Sequence, residues 1–372
     1  QINKELPHAH FIPFETVEQA GTEDKWQSPM LLSLNGTWQF HLAQNPYERP
    51  FWFFKDDYDT RKWNNIEVPA NWELEGYDYP IYVNITYPHE KTPPRIQKHY
   101  NPVGSYKRSF TIPSDWAGQE VYIHFGAVSS AMNVWVNGQF VGYSEDSKTP
   151  AEFNITKFLK EGENLLAVEV FRWSDASYLE DQDFWRMSGI TRDVYLIKRN
   201  SNHIRDFKVG SGLDGTYTSG KFTLDLEINT TSNDEKLSVE ATLSDNGQVI
   251  NNFSAPVSDG KVSFESEIPN VKKWSAEIPD LYELIIILKE NDNILEVIRQ
   301  DVGFRTIEIK DAKVYINGQY IYFKGANLHE HHDKTGHVVD KETMLLDIET
   351  MKAHNLNAVR TSHYPQPELW YE

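Results

Sequence analysis

The stretches KGANLHEHH at residues 324–332 and NAVRTSHYP at residues 357–365 decide the fold of the last part of the chain. Each begins as a β-like run and ends in polar side chains. Between them, Asp340 can cap a helix, and apolar residues recur at helical spacing from Met344 to Met351. Strand, helix and strand in this order predict a βαβ unit with parallel strands, the opening of a (β/α)8 TIM barrel. We expect most of that barrel to lie beyond this chain.

The preceding segment, residues 201–305, has the pattern of a β-sandwich. Apolar and polar residues alternate over residues 222–228 and 237–243, and Asn246-Gly247 then provides a typical hairpin turn. About seven short strands over this length predict an immunoglobulin-like sandwich. Because no cluster of converging polar residues appears here, we expect this domain to act as a scaffold.

The first 200 residues predict a second kind of sandwich. Residues 1 to about 35 lack periodicity and predict an extended arm. Short alternating runs follow, for example residues 121–125, and Asn137-Gly138 marks a hairpin. Several short strands without long helices indicate a jelly roll. The predicted molecule is multidomain and mostly β: an arm and jelly roll (1–200), an immunoglobulin-like sandwich (201–305) and the start of a TIM barrel (306–372).

The composition excludes several classes of function. The net charge of −19 disfavours nucleic acid and anionic membranes as partners, and no run of residues is apolar enough for a membrane helix. The chain has no cysteine, which excludes disulfides and thiolate chemistry. Aromatic residues make up 13% of the chain. They either fill a β-rich core or, in part, stack on a neutral ring such as a sugar.

Two polar stretches in the first domain are candidates for binding. YVNITYP at residues 82–88 is either an ordered loop satisfied by its own backbone or a binding loop. Further on, Glu180, Asp181 and Asp183 lie within four positions of one another, so their charges repel. A solvated loop would tolerate this. Otherwise we expect at least one of the three to meet a cation, an arginine or a hydroxyl-rich ligand.

The histidines of the C-terminal unit follow successive strands. His329 and His363 are therefore predicted to point into one barrel mouth as hydrogen-bond donors, although a lone histidine is more often structural. A zincin motif is not present, because position 333 is Asp333 rather than the required histidine. Arg360 is predicted to lie in a short buried strand, where it needs a carboxylate partner that no nearby residue supplies.

Taken together, these stretches resemble glycoside hydrolase family 2, in particular its large bacterial β-galactosidases. The resemblance runs from LNGTW at residues 34–38 onward, and it is strongest over residues 172–189 and 357–365. It implies the same order of jelly roll, immunoglobulin-like sandwich and TIM barrel. Ala326 and Leu328 depart from the family pattern, which affects fine specificity.

The resemblance also implies roles for single residues. Asn84 matches an asparagine that reaches toward galactose hydroxyls, and Asp183 an aspartate that contacts the sugar and a sodium ion. His329 and His363 match two histidines that bind the sugar near its transition state. Arg360 matches the arginine that orients the nucleophilic carboxylate, which would be the missing partner of its guanidinium.

The reaction implied is hydrolysis of terminal non-reducing β-D-galactose residues with retention, by an acid/base glutamate and a nucleophilic glutamate. Both glutamates are expected beyond Glu372, so this chain contains no catalytic residue and alone should not turn over. Glu330 is not a substitute, since it has no matching carboxylate across the cavity. The implied ions are Na⁺, at Asp183, and Mg²⁺, whose main site is expected mostly outside the chain.

The implied substrate is a β-galactoside such as lactose or a galacto-oligosaccharide, and the implied assembly is a homo-oligomer in the bacterial cytoplasm or periplasm. Two alternatives remain open. The first is another family 2 enzyme, a β-glucuronidase or β-mannosidase. The second is a non-catalytic carbohydrate-binding protein, which an incomplete barrel with unpaired strand edges disfavours.

Overall fold

The computed structural model describes residues 1–22, 24–84, 86–231 and 236–372, and the fold is mostly β, as predicted. The first sandwich and the hairpins attached to it contain strands β1 Leu31–Ser33, β2 Gly36–Ala43, β3 Asn64–Val68, β4 Ile81–Val83, β5 Val103–Thr111, β6 Glu120–Phe125, β7 Val128–Ser129, β8 Ala131–Val136, β9 Gln139–Glu145, β10 Ala151–Asn154, β11 Glu163–Phe171, β12 Phe184–Arg186, β13 Gly189–Ile190 and β14 Val194–Arg199.

Two antiparallel sheets face each other in this sandwich. In the described residues, one sheet has the order β1-β14-β6-β10 and the other β3-β2-β5-β11-β8-β9. The alternating runs bury one face of each sheet, and the shared core includes Trp38, Trp72 and Phe125. Short 3-10 helices lie in the connections, at Lys25–Gln27, Ser114–Trp116, Thr156–Phe158 and Asp175–Tyr178.

The second sandwich follows with β15 His203–Leu213, β16 Gly220–Asn229, β17 Leu237–Asp245, β18 Gln248–Pro256, β19 Lys261–Ile268, β20 Tyr282–Glu290 and β21 Asn293–Val302. Its sheets, over the described residues, have the orders β15-β16-β19 and β18-β17-β20-β21. Asn246 and Gly247 both have positive φ and form the tight turn between β17 and β18, as the Asn-Gly pair predicts.

The last part contains β22 Ile307–Lys310, β23 Lys313–Ile316, β24 Gln319–Tyr320, β25 Gly325–Leu328, α2 Lys341–Ala353, β26 Ala358–Thr361 and α3 Glu368–Tyr371. Strands β25 and β26 are parallel, with Leu328 opposite Thr361. The Asp340 carboxylate accepts a hydrogen bond from the backbone N–H of Thr343 (2.8 Å) and caps α2. The predicted βαβ unit is thus confirmed.

One prediction for this unit is wrong. Strand β26 is not buried, and Arg360 is exposed. The reason is that β25 is the only strand that pairs with β26 in the described part of the chain, so one edge and much of the surface of this small sheet face solvent.

The N-terminal arm is extended for most of its length, with two differences from the prediction. A helical turn, α1 Val17–Ala20, is capped by Thr16, and β1 already begins at Leu31. Phe11 of the arm packs into the core of the second sandwich. No helix in the described ranges is long and apolar enough to cross a membrane.

Candidate active site

The rings of His329 and His363 lie together at the C-terminal ends of β25 and β26. Their centroids are 5.5 Å apart and the ring planes are nearly perpendicular. The parallel register explains this placement, because it brings the ends of both strands to the same edge of the sheet. Burial, and then the neighbouring His363, lower the pKa of His329, while the charge of Asp183 acts in the opposite direction. A neutral His329 ring has one N–H donor and one acceptor nitrogen, a combination that suits a sugar hydroxyl.

Asp183 reaches this edge from the first sandwich. It immediately precedes β12, which pairs with β4 in an antiparallel hairpin. The Tyr82 hydroxyl on β4 donates a hydrogen bond to Asp183 Oδ1 (2.5 Å). Because this bond fixes the carboxylate across the hairpin, Asp183 remains near His329 without belonging to the same sheet.

Asn84 follows β4 directly and is exposed. Val83 and Phe184 are the last paired residues at this end of the hairpin, and Asn84 and Asp183 are their immediate neighbours in the chain. Ile85, within the stretch that carries Asn84, lies outside the described residues.

Arg360 is placed differently from the histidines. Its guanidinium donates a long hydrogen bond of 3.4 Å to Asn327 Oδ1 on the neighbouring strand. Among the ion pairs of the described residues, none includes Arg360. Asp183, His329 and His363 are therefore brought together, whereas the roles of Asn84 and Arg360 stay predictions.

Aromatic rings flank this group. The Tyr82 and Trp185 rings lie 5.3 Å apart, and the ring of His331 stacks toward Trp185 at 6.5 Å with an interplanar angle of 13°. Tyr82 and Trp185 both remain partly exposed. Partly exposed rings next to hydrogen-bonding side chains are typical of sites that hold a ring with apolar C–H faces.

The loop that carries the clustered carboxylates is fixed by hydrogen bonds and an ion pair. Asp181 accepts from Arg186 (2.5 Å), and Glu180 accepts from the backbone N–H and the hydroxyl of Ser147 (2.8 and 2.7 Å). Of the three partners expected for one of these carboxylates, a cation, an arginine or a hydroxyl-rich ligand, the structure shows an arginine. Two of the three carboxylates are therefore bound to protein groups rather than left to solvent alone.

Arg172, at the start of the strongest family-like stretch, is fully buried. Its guanidinium binds the Asp78 carboxylate, lies 3.7 Å from Glu73, and donates to the Tyr100 hydroxyl (3.0 Å). Burial raises the pKa of Glu73 to about 7, although Arg172 acts to lower it. Arg172 also donates to the carbonyl oxygen of Arg186 (3.3 Å), the last residue of β12, so this buried network is bonded directly to that strand.

A cavity of about 230 Å³ lies between the carboxylate loop and the C-terminal unit. His363 and Tyr364 form part of its wall, and buried polar groups of the first sandwich form another part. The Tyr364 ring packs 5.4 Å from Phe184 of β12. This contact joins the end of β26 to the hairpin that carries Asp183.

Sequence reasoning missed three residues that connect these elements. Lys148 and Arg192 form buried ion pairs with Glu330. His337 Nδ1 lies 2.7 Å from the Glu330 carbonyl oxygen, and its Nε2 lies 3.1 Å from that of Trp185. His337 lies shortly after a run of histidines at residues 329–332, and this proximity could have suggested that it belongs to the same site. The residues around Lys148 and Arg192 in the sequence contain no pattern that predicts a contact with Glu330.

Comparison with known families decides the assignment. Residues 31–200 match the sugar binding domain of glycosyl hydrolases family 2, residues 202–305 match the same family's next domain, and residues 307–372 match its TIM barrel domain. The chain belongs to glycosyl hydrolases family 2. The predicted resemblance is confirmed.

Several curated relatives are similar to this family 2 chain over its full length. A protein of Priestia megaterium named beta-galactosidase is 49% identical over 100% of this chain, and one of Halalkalibacterium halodurans with the same name is 43% identical over 100%. This chain spans 37% of the length of each.

Among solved structures, the fold of the family 2 chain matches a beta-glycosidase from Bacteroides vulgatus. The TM-score is 0.75 at 26% identity, over 92% of this chain and 42% of that one. A beta-glucuronidase from Bifidobacterium dentium gives a TM-score of 0.76 at 24% identity, over 92% of this chain and 58% of that one, and this likeness concerns the fold alone.

Proposed function

We propose that the complete protein carrying this chain hydrolyses terminal β-D-galactose residues of β-galactosides with retention of configuration. The observation that carries the proposal is the pair of imidazole rings, 5.5 Å apart, beside Asp183 at the ends of two parallel strands. The names of the relatives, which match the chain over its full length, support the choice of galactose.

In this proposal the residues of the chain bind the sugar and do not perform the covalent steps. Asn84 and Asp183 contact hydroxyl groups from the side of the first sandwich. His329 and His363 hold the sugar from the barrel side, and Arg360 orients the nucleophile. An exposed Arg360 is consistent with this role, because a carboxylate on a later strand could reach it.

The covalent steps then belong to two glutamates beyond residue 372. One protonates the leaving oxygen while the other attacks the anomeric carbon, and a water molecule later hydrolyses the glycosyl ester with the first glutamate acting as base. The two carboxyl groups of a retaining enzyme lie about 5 Å apart. Glu330 is buried against two cations, so its carboxylate is not available for this chemistry.

We further propose that Asp183 supplies one oxygen ligand to a sodium ion, as hard cations prefer such donors. In the described residues, no three His, Asp or Glu side chains group as a metal site, so these residues alone do not complete one. The other sodium ligands and the main magnesium site would then come from the rest of the barrel. A homo-oligomeric bacterial enzyme remains the expected assembly.

Assays of the complete protein on nitrophenyl β-galactoside, β-glucuronide and β-mannoside test the proposal. We expect the galactoside to be cleaved fastest, with β-galactose as the first-formed anomer in proton NMR. Cleavage of the glucuronide without cleavage of the galactoside would assign the enzyme to the alternative activity. Absence of turnover on all three would favour a non-catalytic sugar-binding protein.

A further inference from the structure

A buried cluster of charges adjoins the two segments that carry the histidine pair. The Glu330 side chain, which follows His329 in the chain, is only 1% exposed. Lys148 Nζ donates to Glu330 Oε2 and Arg192 Nε donates to Oε1, each at 2.8 Å. The two cations come from the first sandwich and the carboxylate from the end of β25, so the cluster joins two parts of the molecule.

The same cations also hold the segment that carries the second histidine. Arg192 donates to the carbonyl oxygen of Pro365 (2.8 Å), two residues after His363. It also donates to the Lys148 carbonyl oxygen (3.0 Å), and the Lys148 ammonium lies 4.6 Å from the Tyr364 ring. One guanidinium thus touches both histidine-bearing segments.

The contacts of this charge cluster come from outside the parallel strand pair. Strands β25 and β26 have four residues each and pair with each other, and the histidine-bearing segments follow their ends. Arg192 lies between β13 and β14, next to the core of the first sandwich, and so provides a rigid reference point.

The ionised form of Glu330 dominates in this setting. Burial alone would raise the pKa of Glu330, but Lys148 and Arg192 outweigh burial and hold it at about 2. Burial also lowers the pKa of Lys148, while Glu330 raises it. Because two cations face one carboxylate, we take the carboxylate as charged. Apolar residues of similar size can stabilise a buried contact as well as an ion pair does. Added stability therefore does not explain why charged residues stand here, whereas the directed hydrogen bonds that they make do.

We propose that Lys148, Arg192 and Glu330 form a positioning clamp that sets the separation of the His329 and His363 rings in the active site. The clamp acts on the reaction only through these two histidines and rests on the proposed function. Misplacing a binding group by about 1 Å can lower a rate by as much as roughly a hundredfold. Loss of the clamp should therefore reduce kcat without changing the chemistry.

The chain offers a matched control in the second sandwich. Glu296 is fully buried and pairs with Arg199 at 3.1 Å, far along the chain from the histidines. Glu296→Gln removes a buried carboxylate just as Glu330→Gln does. It should lower the melting temperature to a similar degree and leave kcat within about twofold of wild type.

Two variants of the complete protein test the clamp. Glu330→Gln removes the negative charge. Arg192→Lys keeps a cation but removes the guanidinium nitrogen that donates to the Pro365 carbonyl oxygen. We expect kcat on nitrophenyl β-galactoside to fall about 10- to 100-fold in both, with a smaller change in KM. If both retain kcat within twofold of the Glu296→Gln control, the clamp is only structural and the proposal fails. Should Glu330→Gln not fold, Arg192→Lys decides alone.

Crystal structures of the two variants give a readout that does not depend on activity. We expect the separation of the His329 and His363 rings to change by about 1 Å or more in Arg192→Lys. Unchanged rings in the variants would overturn the clamp even if the wild type cleaved no galactoside. Absence of wild-type galactosidase activity, by contrast, would overturn only the proposed function.

Discussion

The two sandwiches are built from similar strands but stabilised differently. Among the described residues of the second sandwich, residues 203–302, the buried polar side chains are those of His203, Ser244 and Glu296. The first sandwich buries many more, including Arg172, Glu73 and a long series of hydroxyl and amide groups. Both sandwiches have an extensive apolar core, and the first one adds a set of buried, paired charges next to the site.

The difference follows from the connections between strands. In the second sandwich, β17 and β18 are joined by a tight two-residue turn. In the first, the chain between β11 and β12 runs through Arg172, Asp181 and Asp183 before it returns to a sheet. Long polar loops cannot be fixed by an apolar core, since their backbone groups need partners. Buried arginines supply those partners and so let the loops carry a site.

The largest effect is expected on breaking this buried charge network. Arg172→Met leaves Asp78 and Glu73 without their cation, which should lower the free energy of unfolding by about 4 kcal/mol. Urea unfolding followed by tryptophan fluorescence measures it. Arg61→Met, at an exposed ion pair of the same sandwich, is the control and should not change the midpoint. Equal midpoints for both variants would show that the buried network does not stabilise the first sandwich.

A core substitution in the second sandwich should lower stability but not activity. Leu284 is fully buried in its apolar core, and Leu284→Ala should destabilise by about 3 kcal/mol through lost contacts and a cavity. At a temperature where the variant is folded, kcat on the galactoside should equal that of wild type. A fall in kcat there would mean that the scaffold transmits its packing to the site.

The charge-stabilised part should also respond to acid. Because the folded pKa of Glu330 is about 2, below its ordinary value of 4.5, the stability it contributes is present above pH 4.5 and is lost as the pH falls toward 2. The loss is on the order of 3 kcal/mol. The melting temperature, measured from pH 5 to pH 2, should therefore fall less steeply for Glu330→Gln than for wild type. An equally steep fall of the melting temperature in both proteins would contradict this prediction.

Replacing a site histidine should affect rate more than folding. His363→Phe removes a donor to the sugar and should lower kcat/KM about a hundredfold, or about 2.7 kcal/mol, while the melting temperature changes little. His203, buried in the second sandwich, is the counterpart: His203→Asn should lower the melting temperature and leave kcat/KM unchanged. An unchanged rate with a lower melting temperature for His363→Phe would make His363 a structural residue.

The sequence alone was sufficient to predict strands with a repeating apolar pattern and elements that follow one another along the chain. Residues 222–228 alternate because one face of their sheet is buried, and the structure buries Phe222, Leu224, Leu226 and Ile228 as that pattern requires. His329 and His363 could be paired in advance because parallel strands bring their ends to one edge.

The sequence was not sufficient for contacts between distant segments. Lys148 and Arg192 lie 182 and 138 positions from Glu330, and no local pattern records a contact of that kind. The prediction that Arg360 is buried was wrong for a related reason. Its short apolar context, Ala358-Val359, is typical of a buried strand, but burial depends on what covers the strand, and among the described residues only β25 pairs with it.

The N-terminal arm has a consequence for how the molecule behaves at high concentration. Ile2 exchanges backbone hydrogen bonds with Tyr143 on β9, and Phe14 does so with Val297 on β21. Each of these strands is the outermost of its sheet in the described residues. An open outermost strand is a template for pairing with another molecule. Trimming the first fifteen residues would uncover both at once and would also remove Phe11 from the core of the second sandwich, so a shortened chain would be prone to self-association and precipitation.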